Sequence, residues 1–354
     1  MSESIQEKTG PSATVQVDGL RHFLRDAKLA EAADLSTENI SFGHSNEVHL
    51  ARFEGKSWVL RRPPRGPLLP TAHDVLREYR VLKALQETPV PVPRVYAACE
   101  NPEYIGAPFY LMEYMQGAVI RADSNNFATT PDRCRAVSET MIDVLVTLQS
   151  VDWRAVGLEG FGRPDGYLPR QLKRWADQLA RAIQITRPLP VMDKVLKWLE
   201  ARIPASGAAT IVHGDYKLDN VMFDPAPRGA RCIAVFDWEM STIGDPLADL
   251  GWLLSDWLER SDSEQRKGVT AAVTTEPGFL TRREMLDRYE SRCGRKMTDF
   301  AFYEAFAIWK LAIIMEGSYS RFVRGQTDDP LFAGLTTRVP ALAEAAWSVC
   351  ASAR

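Results

Sequence analysis

No stretch of the chain carries the ~20 consecutive apolar residues that a membrane-spanning helix needs. The opening Met1-Ser2-Glu3-Ser4-Ile5-Gln6-Glu7-Lys8 lacks the charged-then-apolar order of a signal peptide, so no membrane partner is expected. Charge of one sign is also missing: 43 Lys and Arg face 46 Asp and Glu, a net −3, which leaves no field to hold a nucleic acid. Cysteine is sparse. Cys99, Cys134, Cys232, Cys293 and Cys350 are odd in number, scattered and without metal-ligand spacing, which excludes a disulfide framework and points to free thiols in a reducing cytoplasm. No internal repeat is found. What remains is ordinary globular composition, 45% hydrophobic and 25% charged over 354 residues, a length that suits two lobes with separate cores.

Within it, His213-Gly214-Asp215-Tyr216-Lys217-Leu218-Asp219-Asn220 and Phe236-Asp237-Trp238-Glu239 form a constrained set. Asn220 follows Asp215 by five residues, and Asp237 follows Asn220 by seventeen. Phosphoryl transfer needs one carboxylate to orient the attacking hydroxyl, and an amide oxygen with a second carboxylate to hold Mg²⁺ on the nucleotide phosphates. The protein-kinase pattern H-R-D-x-x-x-x-N has the same Asp-to-Asn spacing, with Gly214 here in place of Arg, and Asp237-Trp238-Glu239 stands where that pattern has D-F-G. Ala209-Thr210-Ile211-Val212 reads as a strand delivering the first motif onto a loop, Val221-Met222-Phe223 leads out of it, and Cys232 to Phe236 forms a strand ending at Asp237. The turn-rich Asp224 to Gly229 joins them. The bland alternative, three unrelated turn residues, does not account for the joint spacing.

The run from Ile211 to Leu253 resembles the aminoglycoside phosphotransferase-like kinases, relatives of choline and fructosamine kinases and distant kin of protein kinases. Ser41 to Asn46, Trp58 to Pro64 and Arg77 to Leu82 match as well, so the resemblance runs from about Ile40 to Gly325. It is strongest to the kinase-like domains fused to some acyl-CoA dehydrogenases. The resemblance implies an α+β, two-lobed protein-kinase-like fold. Residues 1–14 would form a disordered tail. Residues 15–115 would form an N-terminal nucleotide-binding lobe, a small antiparallel sheet with one helix. Residues 116–354 would form a mostly helical C-terminal catalytic and substrate lobe, hinged near Met115 to Gly117.

In the smaller lobe, Glu47 to Glu54 and Ser57 to Arg62 read as strands around a turn at Glu54-Gly55-Lys56. Alternation puts Val59 and Arg61 on one face. By resemblance that face lines the nucleotide cleft, with Arg61 on the phosphates where the family more often has Lys. Arg62 is the alternative if the register shifts by one, and an ordinary surface Arg pair is the bland reading. Asp74 to Glu87 reads as a helix whose Glu78 would brace Arg61 as a kinase Glu does, against the common case of a surface Glu. Phe42-Gly43-His44-Ser45-Asn46 sits where a phosphate-covering loop belongs. With one glycine it is a poor match, but backbone N–H groups of Gly43, Ser45 and Asn46 would meet a phosphate there, His44 being a polar turn residue. Pro108 to Gly117 would be the last strand plus hinge, its backbone near Glu113 and Met115 meeting the adenine edge.

In the larger lobe, Pro131 to Ser150, Tyr167 to Ile185 and Val191 to Arg202 read as helices, and Asp245 would N-cap another with Pro246 in its first turn. The resemblance makes Asp249 a buried brace and His213 a residue that orients the loop. Lys217 would stabilise developing negative charge on the transferred phosphate, its bland reading being an exposed loop Lys. Glu239 would contact metal through water or cap a turn. Phe300, Phe302, Tyr303, Phe306, Trp309 and Ile313 crowd one helix, more often core than an aromatic pocket. Asp256, Glu259, Asp262 and Glu264 fall on and after the helix that holds Asp249; an acidic cluster there would suit a polyamine substrate, but Arg260 and Arg266 intersperse them and solvated helix surface is the plainer reading.

The implied activity is phosphorylation of a small-molecule hydroxyl by ATP (GTP not excluded) with Mg²⁺, in the cytoplasm. Asp215 is the base, Lys217 the second catalytic group, and Asn220 and Asp237 the metal ligands. A hydroxy acid or hydroxyacyl thioester fits the subgroup better than an aminoglycoside. Two other classes compete. A nucleotide-binding regulatory pseudokinase without turnover is suggested by Arg61 and the glycine-poor loop. A protein kinase is disfavoured because Gly244-Asp245-Pro246 follows Asp237-Trp238-Glu239 too closely to leave an activation segment. The sequence carries no signal for oligomeric state.

Overall fold

The computed structural model describes residues 15–40, 46–64, 74–121, 126–226, 229–263, 266, 272–295, 297, 299–327 and 332–353. Gly43, His44, Ser45, Glu264 and the tail over 1–14 lie outside the described residues. The chain divides into two compact units, one of residues up to Glu87 with Val92–Gln116, the other of Thr88–Pro91 with Gly117 onward.

The first unit contains α1 (Val17–Asp26), β1 (Ser36–Asn39), β2 (Glu47–Phe53), β3 (Lys56–Arg62), α2 (Val75–Leu85), β4 (Val95–Cys99) and β5 (Phe109–Glu113). The strands form one sheet in the order β1-β2-β3-β5-β4, antiparallel at every pairing. Glu54 and Gly55 between β2 and β3 both have positive φ, 50° and 70°, as a two-residue hairpin turn demands to match strand twist. Alternation then sorts the side chains. Ala51, Phe53, Trp58, Leu60, Phe109 and Leu111 face a core shared with Leu20, Phe23 and Leu24 of α1. Val59, Arg61, Tyr110 and Met112 face the other way, toward α2, where Tyr79 lies 6.1 Å from Tyr110. This unit therefore has two helices among its described residues, not the one expected. α1 escaped the sequence reading because it abuts the tail and Gln16 gives it no side-chain cap.

The second unit begins with β6 (Ala118–Val119), α3 (Pro131–Ser150), α4 (Tyr167–Ile183) and α5 (Pro190–Glu200). Next come β7 (Thr210–Val212), β8 (Val221–Phe223), β9 (Cys232–Val235) and β10 (Thr242–Gly244). It ends with α6 (Leu247–Asp256), α7 (Arg282–Cys293), α8 (Phe300–Val323) and α9 (Leu335–Ser352). Helix starts are chemically marked: the Thr130 hydroxyl accepts from Arg133 N–H with Pro131 next, and Thr281 and Glu284 form a reciprocal capping box. β7 pairs with β10, and β6, β8 and β9 form a three-stranded sheet. Phe302, Tyr303, Phe306, Trp309 and Ile313 of α8 are packed core, buried with Trp175, Met192 and Val339.

Of the acidic residues after α6, the described Glu259 and Asp262 do not lie on a helix surface. The helix stops at Asp256, and the chain beyond it turns back and packs. Asp262, 7% exposed, takes a two-pronged bond from Arg282 at 2.7 Å on each oxygen, and Arg266 bonds Glu304 at 2.7 Å. Among the described residues no helix is long and apolar enough to cross a membrane.

Candidate active site

In the second unit, β7 ends at Val212 and hands the chain to a loop fastened from beneath by one carboxylate. Asp249, near the start of α6, accepts the backbone N–H of His213 at 2.6 Å and of Gly214 at 2.8 Å. Burial raises its carboxyl above the ordinary range, against the pull of these two donors and Lys310. The His213 ring is buried and its tautomer follows from its partners. Nε2 donates to the Phe236 carbonyl at 2.8 Å, while Nδ1 accepts the Asp215 N–H at 3.2 Å. Both ring nitrogens are thereby committed to holding the loop. Gly214 has φ +88°, and a Cβ there would sit 2.6 Å from the Met240 carbonyl oxygen, so the Arg of the protein-kinase pattern has no room.

Asp215 follows, and both its oxygens are engaged. Oδ1 accepts the Trp252 indole N–H at 2.8 Å. Oδ2 accepts the Asn220 amide at 2.9 Å, and Lys217 Nζ lies 3.4 Å from the same oxygen. The Asn220 amide nitrogen also donates to the Asp215 carbonyl at 2.8 Å. Because that nitrogen is spent on Asp215, the side-chain oxygen is directed elsewhere. Burial pulls the Lys217 ammonium down, but Asp215, Asp256 and Asp219 together outweigh it and its pKa ends above the ordinary value. Asp256, at the end of α6, is pushed up to about 6 by burial, with Lys217 opposing and Asp219 and Asp215 adding to the rise.

Asn220 closes a 3-10 turn over Leu218–Asn220, and its carbonyl accepts the Phe236 N–H at 2.8 Å. The β8–β9 hairpin starts beside it, with Val221 opposite Val235. Asn220 and Asp237 therefore leave neighbouring strands at the same end. Asp237 sits in the left-handed region, φ 64° and ψ 60°, a conformation that costs a non-glycine residue about 1 kcal/mol or more. Among the described residues no three His, Cys, Asp or Glu side chains group to cage a metal. One carboxylate and one amide oxygen suit a hard cation that takes its other ligands from phosphates and water.

In the first unit, Arg61 Nε lies 2.8 Å from Glu78 Oε2, with the pair almost dry at 11% and 2% exposure. Arg62 points to the opposite face, bonded to the Ile105 carbonyl at 3.0 Å and 3.0 Å from Glu47. Arg61, not Arg62, is thus the residue paired with Glu78. Asn46 is buried. Glu113 closes β5 with its N–H donated to the Arg94 carbonyl at 2.8 Å. Met115 is half-buried in the coil just beyond. Two residues beside Asp215 escaped the sequence reading: Trp252, seen only as part of a helix, and Lys310, a lone cation in an apolar run.

The family model described as "Phosphotransferase enzyme family" (APH) matches residues 36–285. Acyl-CoA dehydrogenase family member 10 of Mus musculus is 37% identical over 306 residues, covering 86% of this chain. The chain spans 28% of that relative's length. A crystal structure from Ralstonia eutropha JMP134, assigned provisionally as an aminoglycoside phosphotransferase, superposes with a TM-score of 0.82 at 32% identity, over 96% of this chain and 100% of that one. A thermostable mutant of aminoglycoside phosphotransferase APH(4)-Ia, in ternary complex with ADP and hygromycin B, shares the fold at a TM-score of 0.59 and 16% identity, over 92% and 98% of the two chains. With an Asp–Asn–Asp set carried on a kinase-like α+β fold and a family match over most of its length, the chain belongs to the APH phosphotransferase enzyme family.

Proposed function

We propose that this phosphotransferase moves the γ-phosphoryl group of ATP to a hydroxyl of a small molecule. The observation that carries the reading is the loop geometry: Asp215 is pinned at both oxygens while Asn220 and Asp237 emerge together from neighbouring strands. The acceptor oxygen bonds to the γ-phosphorus, the bond to the β,γ-bridging oxygen breaks, ADP leaves, and Asp215 receives the hydroxyl proton. Because such transfer passes through a loose transition state, Asp215 acts chiefly by orienting the hydroxyl. Lys217, beside it, offsets charge on the moving phosphoryl group. Asn220 and Asp237 would hold Mg²⁺, which when bound neutralises charge on the nucleotide phosphates. In the first unit Arg61, steadied by Glu78, is the phosphate-binding cation, and the backbone around Glu113 and Met115 reads the purine.

The relative's name places an acyl-CoA dehydrogenase in the same polypeptide as a matching domain. That favours a hydroxy acid or hydroxyacyl thioester as acceptor over an aminoglycoside. Thermal unfolding with ATP, with and without Mg²⁺, on wild type and Asp237→Ala tests the nucleotide step. A ligand at about 100 times its Kd adds about 2.7 kcal/mol, enough to move the midpoint by a few degrees. A Mg²⁺-dependent shift lost in Asp237→Ala is expected; no shift in wild type overturns the ATP reading. Binding without acceptor-dependent ADP release would instead describe a regulator.

A further inference from the structure

Trp252 and Lys310 have no part in the proposed transfer, yet they meet behind its loop. Trp252, on α6, gives its indole N–H to Asp215 Oδ1 at 2.8 Å. Lys310, on the buried side of α8, donates from Nζ to the Gly214 carbonyl at 2.8 Å. The same ammonium lies over the Trp252 ring, 4.0 Å from its centroid. Both side chains border a narrow crevice with Tyr167, Gln171, Trp175 and Phe306.

Neither residue is what packing alone calls for. Lysine is rarely buried without a reason, and burial draws the Lys310 ammonium down to about 8 against the pull of Asp215 and Asp249. A methionine would fill the space without a buried charge. What lysine adds is direction: a bond to the carbonyl just before Asp215, and a cation–π seat for the ring that bonds Asp215. The tryptophan argument is parallel. Trp153, Trp238, Trp257 and Trp309 donate their indole N–H to backbone carbonyls, as buried tryptophans usually do. Trp252 donates to a side-chain carboxylate. Phenylalanine would fill most of the volume but offers no donor.

With Asn220 on Oδ2 and Trp252 on Oδ1, turning the Asp215 carboxylate breaks both bonds. We propose that Trp252 and Lys310 are positioning residues for phosphoryl transfer. Lys310 seats the indole and the Gly214 carbonyl, and the indole holds the Asp215 carboxylate in the orientation that receives the hydroxyl proton. This rests on the reading of Asp215 as the base.

The test uses the full chain with MgATP and water as the acceptor, so that ADP and inorganic phosphate are the products. Steady-state kinetics on Trp252→Phe, Lys310→Met, their double variant and Asp215→Asn are read beside the ¹⁵N indole resonance of Trp252. Losing one bond to a charged group predicts a fall in kcat of about 10- to 100-fold for Trp252→Phe, with KM for ATP unchanged. Lys310→Met, which sheds a buried charge and keeps its volume, should fold and fall in the same direction. The double variant should lose less than the two losses multiplied, because both act on one carboxylate. The Trp252 indole resonance should move in Asp215→Asn and in Lys310→Met. Wild-type turnover in both single variants, with Asp215→Asn inactive, overturns the positioning roles and leaves the base standing. Full turnover in Asp215→Asn removes the base, and the proposal with it. An indole resonance unmoved by Asp215→Asn removes the contact itself.

Discussion

The two units secure their functional charges in opposite ways. In the first, Arg61 and Glu78 face each other across adjacent elements, β3 and α2, and each is the other's partner at 2.8 Å. In the second, two backbone N–H groups hold Asp249 directly, with the Lys310 ammonium adding its pull. Asp215 likewise takes an indole and an amide before it takes Lys217. An Arg–carboxylate pair holds a fixed positive charge with guanidinium donors to spare. A carboxylate held by N–H donors fixes direction. The first arrangement suits gripping a phosphate that arrives with its own charge. The second suits aiming a group at one hydroxyl.

Removing the aimed group should show the largest effect. Asp215→Ala should slow acceptor-dependent ADP release by roughly 10²–10⁴-fold, the range for a lost general base. Calorimetric titration should find ATP affinity unchanged, and an equal loss in affinity and rate would erase the division between gripping and aiming. The next effect separates two neighbouring arginines. Arg62→Ala leaves Glu47 and the Ile105 carbonyl without their buried partner, and should cost about 3 kcal/mol of stability with little change in nucleotide affinity for the protein that remains folded. Arg61→Ala strands the buried Glu78 in the same way and should cost similar stability, but it should also weaken ATP binding about 10-fold, or ~1.4 kcal/mol. If Arg62→Ala weakens ATP binding as much as Arg61→Ala does, the two faces of β3 do not have different duties.

How much of this could be read in the sequence follows the same division. The β2–β3 hairpin, the facing of Arg61 and the placing of Glu78 on α2 were readable because alternation and helical period act over a few residues. The loop motif was readable because Asp215 and Asn220 are five residues apart and bond directly. The pairing of β7 with β10 was not foreseen, since three-residue strands carry almost no pattern. Trp252 and Lys310 reach the loop from 37 and 96 residues away, a proximity created only when α6 and α8 pack. Within a chain seen alone, Lys310 carried one signal: a lone cation among Ile308, Trp309, Leu311, Ala312 and Ile313. The packing of Asp262 is opaque in the sequence for the same reason, because its partner Arg282 arrives from a later helix.

The smallest effect concerns Asp256 and sharpens the contrast from the side of pH. Its carboxyl is pushed up to about 6 from 3.8, first by burial and then by Asp219 and Asp215, with Lys217 opposing. A raised carboxyl pKa means that the folded chain holds this proton more tightly than the unfolded chain does. The contribution to stability is therefore full below 3.8 and is lost as pH climbs through about 6. Asp256→Asn should remove that slope, giving melting temperatures that decline less than wild type across the interval. The variant should also leave Lys217 with fewer carboxylate neighbours and so lower its pKa, since Asp256 is second only to Asp215 among the groups that raise it. Matched melts of the two proteins across the window decide the matter. Parallel slopes would mean that Asp256 titrates as it does in the unfolded chain, and that the charges around the loop are set by solvent instead of by burial.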